Sequence, residues 1–271
     1  MSTKIKRVGV LTSGGDSPGM NAAIRAVVRA CAYYNVECVG IYRGYQGMIE
    51  GDFKEMGPRD VKNIINKGGT ILKSARSADF RTAEGRKKAY DNLVAAGIDS
   101  FVVIGGDGSF TGAEIFNEEY GFPVIGIPGT IDNDIFGTSH TLGYDTALNT
   151  VIDAIDKIRD TANSHNRLFF VEVMGRDAGH IALNAGIGAG AEEILIPEED
   201  FGLDRLVESL KRSKGSGKTS SIVVVSEGDK IGKNVFELKD YIEENMPEYD
   251  VRVSVLGHMQ RGGSPSCFDR V

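Results

Sequence analysis

The stretch PGTIDND, residues 128–134, sets Asp132 and Asp134 two positions apart, just past an apolar run that ends in a Pro-Gly turn. If the segment is extended, both carboxylates project to the same side. Use as caps or Asx-turn residues accounts for one aspartate comfortably and for two less well. In phosphoryl transfer an acceptor hydroxyl needs a carboxylate to take its proton, and the spread charge needs a metal ion and cations. Asp132 suits the base. Asp134 suits holding that base, or a metal's waters, in place, and Thr130 offers a hydroxyl to the transferring phosphate.

Other stretches have the matching chemistry. GGDGS (105–109) follows an apolar run and opens a helix. Its glycines let the backbone approach an anion, and a helix N-terminus presents free N–H groups to phosphate. Asp107 would repel phosphate directly, so it reads as a Mg²⁺ ligand bridging to it; the plainer use is a helix cap. TSGGDSPGMNAAIR (12–25) repeats the design with Gly14 and Gly15, and Pro18 suits a first helical turn; capping by Asp16 or Ser17 is its plainer use. Arg76, Arg81 and Arg86 in LKSARSADFRTAEGR (72–86) could clamp phosphates, or form a solvated basic face. Arg176 stands at a strand end in MGRDAG, and His258 with Arg261 in LGHMQRGG makes a candidate anion pocket. KGSGKTS (214–220) only imitates a P-loop: Arg212 stands where glycine is needed, and the stretch follows a helix rather than a strand. His140, His165, His180 and His258 lack zinc-site spacing.

These loops need a scaffold. Strands are expected at 7–11, 37–42, 101–106, 123–129, 168–175, 192–197, 221–227 and 251–257. Helices are expected from Pro18 to about Tyr34, over 83–96 and 146–160, from Ala178, and over 203–212 and 235–244. Continuous apolar strands alternating with amphipathic helices imply parallel sheets covered on both faces. Two successive α/β blocks, read as Rossmann-like domains, fit better than one very wide sheet. The chain is expected to cross near Gly143 and return near Gly257, giving 1–143 plus 257–271 and 144–256. Ligands of such sheets sit beyond the strands' carboxyl ends, where all these motifs fall.

Composition bounds the rest. A chain of 271 residues, 41% hydrophobic and with net charge −7, has a real core and no basic footprint for nucleic acid or membrane surfaces. Cys31, Cys38 and Cys267 form no CxxC pair, and an odd count suits a reducing compartment. The N-terminal segment has no signal-peptide pattern and no apolar run approaches membrane-spanning length, so the expectation is a soluble cytoplasmic protein.

Taken together, GVLTSGGDSPGMNAAIR, GGTILKSAR, VVIGGDGS, GIPGTIDNDI, VEVMGRDAGH and VLGHMQRGGSP resemble the bacterial 6-phosphofructokinases, in register from about Arg7 to Val271. Lipid and NAD kinases share GGDG, but neither explains PGTIDND with HMQRGG. The resemblance implies a Mg²⁺- and ATP-dependent kinase acting in glycolysis on the 1-hydroxyl of fructose 6-phosphate, with its site in the cleft between the two domains. Gly15, Tyr45, Arg76, Arg81, Gly106, Asp107, Gly108 and Ser109 would fall on the nucleotide and metal side, in the first domain. Thr130, Asp132, Asp134 and Arg176 would fall at the transfer centre, and Met174, Gly175, Glu227, His258 and Arg261 at the sugar phosphate. Arg167 and Arg252 would reach a neighbouring subunit's sugar phosphate, which implies an oligomer, typically a tetramer.

Pyrophosphate-dependent relatives carry an Asp after the GGD aspartate and a Lys before the TIDND threonine; here those positions are Gly108 and Gly129, which favours ATP. A non-catalytic sensor of nucleotide or sugar phosphate is the alternative from another class. Arg25, Arg29, Arg159, Glu192 and Lys218 match family effector contacts and imply a nucleoside diphosphate effector, although Pro58 and Ser216 replace an expected Arg and Lys. The family also continues past CFDRV into a further helix and strands, so part of the first domain's cover is expected to be missing.

Overall fold

The computed structural model describes residues 5–165, 167–199, 202–216, 220–228 and 234–271. They divide into two compact units: 1–130 with 135–143 and 261–271, and 131–134 with 144–260.

In the first unit the β-rich runs become β1 (Arg7–Thr12), β2 (Glu37–Ile41), β3 (Phe53–Glu55), β4 (Ser100–Gly105) and β5 (Val124–Pro128). Helices α1 (Met20–Tyr33), α2 (Gly44–Glu50), α3 (Ala83–Ala95) and α4 (Asp107–Tyr120) connect them. Strand order is β3-β2-β1-β4-β5. The period of two separates the faces: Val10 packs into a cluster with Met20, Ile24 and Val28 of α1, and Leu11 into one with Leu93 and Phe116 of α3 and α4.

Three expectations need correction. The sheet is not wholly parallel, because β3 pairs antiparallel to β2. Residues 42–52 turn the chain back too soon for a parallel crossover: Tyr42 N–H donates to Asp52 O at 3.0 Å, and Arg43 bonds both Glu50 and Asp52. Secondly, α1 begins at Met20 rather than Pro18, because Gly19 precedes it at φ 110°, outside helical space. Thirdly, the run at 123–129 lies at the sheet edge, with Ile125 67% exposed.

The second unit contains α5 (Tyr144–His165), β6 (Arg167–Val173), α6 (His180–Gly188), β7 (Glu193–Leu195), α7 (Gly202–Gly215), β8 (Ser221–Ser226), α8 (Val235–Asn245) and β9 (Asp250–Val255). Its sheet, ordered β7-β8-β6-β9, is entirely parallel. Every residue of β8 is buried, as a central parallel strand covered on both faces requires. Phe169, Val171 and Val173 face α5 and α6, while Leu168 and Phe170 face α7 and α8. Among the described residues no helix is long and apolar enough to cross a membrane.

Strand order decides which loops meet. β1 lies between β2 and β4, so the loops after β1 and β4 are neighbours where the connections diverge. β6 lies between β8 and β9, which brings together the loops after those three strands.

Candidate functional site

In the first unit, the loop after β1 and the start of α4 are joined by side chains. Ser109 Oγ donates to Ser13 Oγ at 2.9 Å, and both serines are buried. Tyr45, buried and stacked on Phe80 at 4.0 Å between centroids, donates its hydroxyl to Ser109 O. Burial pushes the Tyr45 phenol upward, so it stays a donor. Gly106 precedes α4, and Asp107 and Gly108 stand exposed at the helix start, where backbone N–H groups lack helical acceptors. A Cβ added at Gly105 would lie 2.5 Å from Ser13 O, whereas one added at Gly108 would meet nothing within 4 Å. Gly105 is required by packing; Gly108 leaves open space over the helix N-terminus.

Residues 67–74 support the same place. Asn21 on α1 donates to Lys67 O at 3.1 Å and Gly68 O at 3.0 Å, and accepts from Ile71 N–H at 2.8 Å. Thr12 Oγ1 bonds Thr70 Oγ1 and Lys73 O, and Ser74 Oγ donates to Gly14 O at 2.8 Å. Arg261 lies here too: its Nη1 donates to Asp16 O at 3.3 Å and would be 2.7 Å from a Cβ on Gly15. The structure therefore joins Arg261 to Gly15.

In the second unit Gly175 at φ 145° and Arg176 at φ 55° bend the chain sharply after β6. A Cβ on Gly175 would lie 2.3 Å from Ala178 O, and one on Gly228 would lie 2.1 Å from Arg176 O. Glu227 Oε1 accepts from Arg176 N–H at 2.8 Å. Fully buried Gln260 accepts from Met174 N–H at 3.2 Å and donates to Gly257 O at 3.0 Å. The Arg176 guanidinium is 74% exposed beside Asp177, and His258 is exposed. Met174, Gly175, Arg176, Glu227 and His258 thus lie on adjoining loops. Behind them Glu172, half-buried on β6, has its carboxyl pushed up, first by burial and then by the charge of Glu227.

The segment after β5 is not extended: Asn133 lies at φ 54°. This corrects the expectation of two carboxylates on one side. Asp132 is 7% exposed, while Asp134 is exposed. Ile131 anchors the turn, fully buried in the cluster of α5 and α6. Thr130, nearly buried, accepts at its carbonyl from Thr141 Oγ1 at 2.7 Å.

The three arginines of 72–86 do not act alike. Arg86 is bound bidentately to Glu119 at 2.6 and 2.7 Å and also donates to Phe80 O, so it is structural. Arg76 and Arg81 are exposed and have no side-chain bond among the described residues. Arg167 and Arg252 both bind Asp250, at 2.7 and 2.9 Å, at the amino end of the second sheet. Strand β6 spans roughly 20 Å, so neither reaches its own chain's 174–176 loop. Arg25 and Arg29 lie one turn apart on α1. In the second unit Arg159 donates to Ala189 O and Gly190 O and lies 3.8 Å from Glu192. Lys218 lies outside the described residues.

The family profile described as Phosphofructokinase matches residues 7–271. The chain belongs to the phosphofructokinase family. It is 57% identical over 267 residues to ATP-dependent 6-phosphofructokinase 2 of Bacteroides thetaiotaomicron, spanning 98% of this chain and 82% of that protein. It is 59% identical over the same length to the ATP-dependent 6-phosphofructokinase of Bacillus pumilus, with the same coverage. It overlays the phosphofructokinase structure from Saccharomyces cerevisiae with a TM-score of 0.93 at 39% identity, over 98% of this chain and 40% of that one.

Sequence reasoning missed the residues that hold these loops: Ser13, Asn21, Thr70 and Gln260. A polar residue inside an otherwise buried helical face, as Asn21 is in MNAAIRAVV, was the available signal.

Proposed function

We propose that the chain is an ATP-dependent 6-phosphofructokinase, which transfers the γ-phosphoryl group of ATP to the 1-hydroxyl of fructose 6-phosphate in glycolysis. The observation that carries this reading is the 57–59% identity, over 98% of the chain, to bacterial proteins of that name. The first unit takes the donor: the N–H groups at the start of α4 and the Gly14–Gly15 turn bind phosphate oxygens, and Arg76 and Arg81 add charge. The second unit takes the sugar phosphate through Met174, Gly175, Glu227 and His258, and Arg261 is assigned to the same phosphate. Asp132 accepts the hydroxyl proton, Thr130 orients the transferring group, Arg176 stabilises its charge, and Asp134 serves from the exposed end of the turn.

Among the described residues no three His, Cys, Asp or Glu side chains cluster to cage a metal. A single exposed carboxylate, Asp107, fits Mg²⁺, which keeps waters and takes its other ligands from phosphates. When bound it would neutralise charge spreading over the donor's oxygens.

Gly108 favours ATP over pyrophosphate. Its Cβ position opens on empty space, so an Asp there would bring negative charge to where a nucleotide's α-phosphate must pass. Arg167 and Arg252 serve another copy's sugar site, so the working form is a homotetramer. Arg25, Arg29, Arg159, Glu192 and Lys218 take a nucleoside diphosphate effector. We place the protein in the cytoplasm. The test is product formation from fructose 6-phosphate with ATP or with pyrophosphate. We expect ADP and fructose 1,6-bisphosphate from ATP at no less than about tenfold higher kcat/KM, a gap of about 1.4 kcal/mol. Faster turnover with pyrophosphate overturns the donor assignment. Tight binding of both substrates without turnover identifies a sensor.

A further inference from the structure

We propose that Gln260 is a positioning residue for the sugar phosphate: its carboxamide ties the Met174–Arg176 bend to the turn that carries His258. The inference rests on reading those two loops as the sugar-phosphate side of the site. Strands β6 and β9 pair in parallel as far as Glu172 and Val255, and Leu256 N–H to Glu172 O at 3.0 Å extends their ladder by one step. Beyond it, among the described residues, no backbone bond joins the two chains. Gly257, at φ 52°, opens a short 3-10 turn over Gly257–Arg261, while Gly175 bends the other chain at φ 145°. Gln260 spans the divergence. Its Oε1 accepts from Met174 N–H at 3.2 Å and its Nε2 donates to Gly257 O at 3.0 Å. One side chain thus supplies the next rung after the ladder ends.

The bend is held from its other flank by β8: Glu227 N–H donates to Val173 O at 2.9 Å, and Glu227 Oε1 accepts from Arg176 N–H at 2.8 Å. Glu227 is charged and is itself assigned to the sugar phosphate. Gln260 is fully buried and neutral, so it holds the bend without facing the ligand. The place requires one acceptor and one donor with no net charge away from water, and a carboxamide provides both. The turn leaves His258 and Met259 exposed and returns Gln260 to the interior. His258 lies between Gly257 and Gln260, which are bonded to each other, so its placement follows from the same tie.

The full chain is compared with Gln260→Met, which keeps the side chain's length and removes both bonds. Hydrogen exchange read by peptide mass spectrometry reports the tie. We expect slow exchange over 173–178 and 256–260 in the unliganded wild type, roughly tenfold faster exchange there in the variant, and no change over 67–74. Steady-state kinetics report its role. KM for fructose 6-phosphate should rise about tenfold, with kcat and KM for ATP within about threefold of wild type. A variant that is only less stable would exchange faster in both units and would not separate the two KM values. Fast exchange in the wild type, or none gained in the variant, overturns the tie. Faster exchange with KM for fructose 6-phosphate unchanged, or with both KM values raised alike, overturns the positioning role. The wild-type exchange measurement needs no variant to fold. Wild-type protein that neither binds nor turns over fructose 6-phosphate removes the sugar-phosphate reading and this role with it, whatever the exchange shows.

Discussion

The two units shape the loops that bear their candidate site residues by different means. The first ties them with neutral side-chain bonds: Ser109 to Ser13, Asn21 to 67–71, Thr12 to Thr70 and Ser74 to Gly14. The second relies on backbone shape, with Gly175 and Arg176 in the left-handed region and one carboxylate, Glu227, holding the bend. A loop made by side-chain bonds loses them one at a time. A loop made by backbone geometry fails as a whole when a Cβ intrudes. The second unit thereby leaves the Arg176 guanidinium exposed, while its bend depends on Glu227, the carboxylate proposed to meet the sugar phosphate.

The contrast can be broken at several points. The largest effect belongs to Asp132→Ser, for which steady-state kinetics should show kcat reduced roughly 10²–10⁴-fold, about 3–5 kcal/mol, with KM values moved little. Near-normal turnover would remove the base from the proposal. Gly175→Ala comes next. Its Cβ would collide with Ala178 O, so denaturant unfolding should show a loss of about 2–4 kcal/mol, against less than ~0.5 for Gly108→Ala. Equal losses would erase the distinction between a shaped loop and an open one. Asn21→Ala, which strips bonds from two carbonyls and one N–H, should lose about 1–3 kcal/mol.

Glu172→Gln tests electrostatics. The raised carboxyl of Glu172 makes folding favour its protonated form. Its contribution is therefore full below the ordinary carboxylate value of 4.5 and is lost as pH rises through the folded value. Tm curves against pH should show the variant gaining on the wild type above that window and matching it below, modestly because the group is only half-buried. The smallest effect on activity is expected for Arg86→Ala: ATP kinetics unchanged, with a loss of about 1–2 kcal/mol in denaturant unfolding as three guanidinium bonds are removed. A large rise in KM for ATP would return Arg86 to the phosphate clamp.

The sequence was most legible where chemistry restricts residue type. Asp107 behind two glycines and Asp132 after a Pro-Gly turn stand out because few other uses need that pattern. The strands were visible because parallel sheets demand continuous apolar runs. α2 and β3 were hidden: one is seven residues with two glycines, the other three residues. The unequal burial of Asp132 and Asp134 turned on Asn133, whose short polar side chain tolerates the left-handed region. Partners distant in sequence, such as Glu119 for Arg86 or Gly68 for Asn21, leave no local trace.

Residues 131–134 belong to the second unit although the chain on either side, through Thr130 and from Ile135 to Gly143, belongs to the first. Dissection by cutting the gene is therefore closed off. A fragment starting at Tyr144 would leave behind Ile131, which fills its own hydrophobic cluster, and would part with Asp132 at the same stroke. Each half inherits its integrity only from an uninterrupted polypeptide.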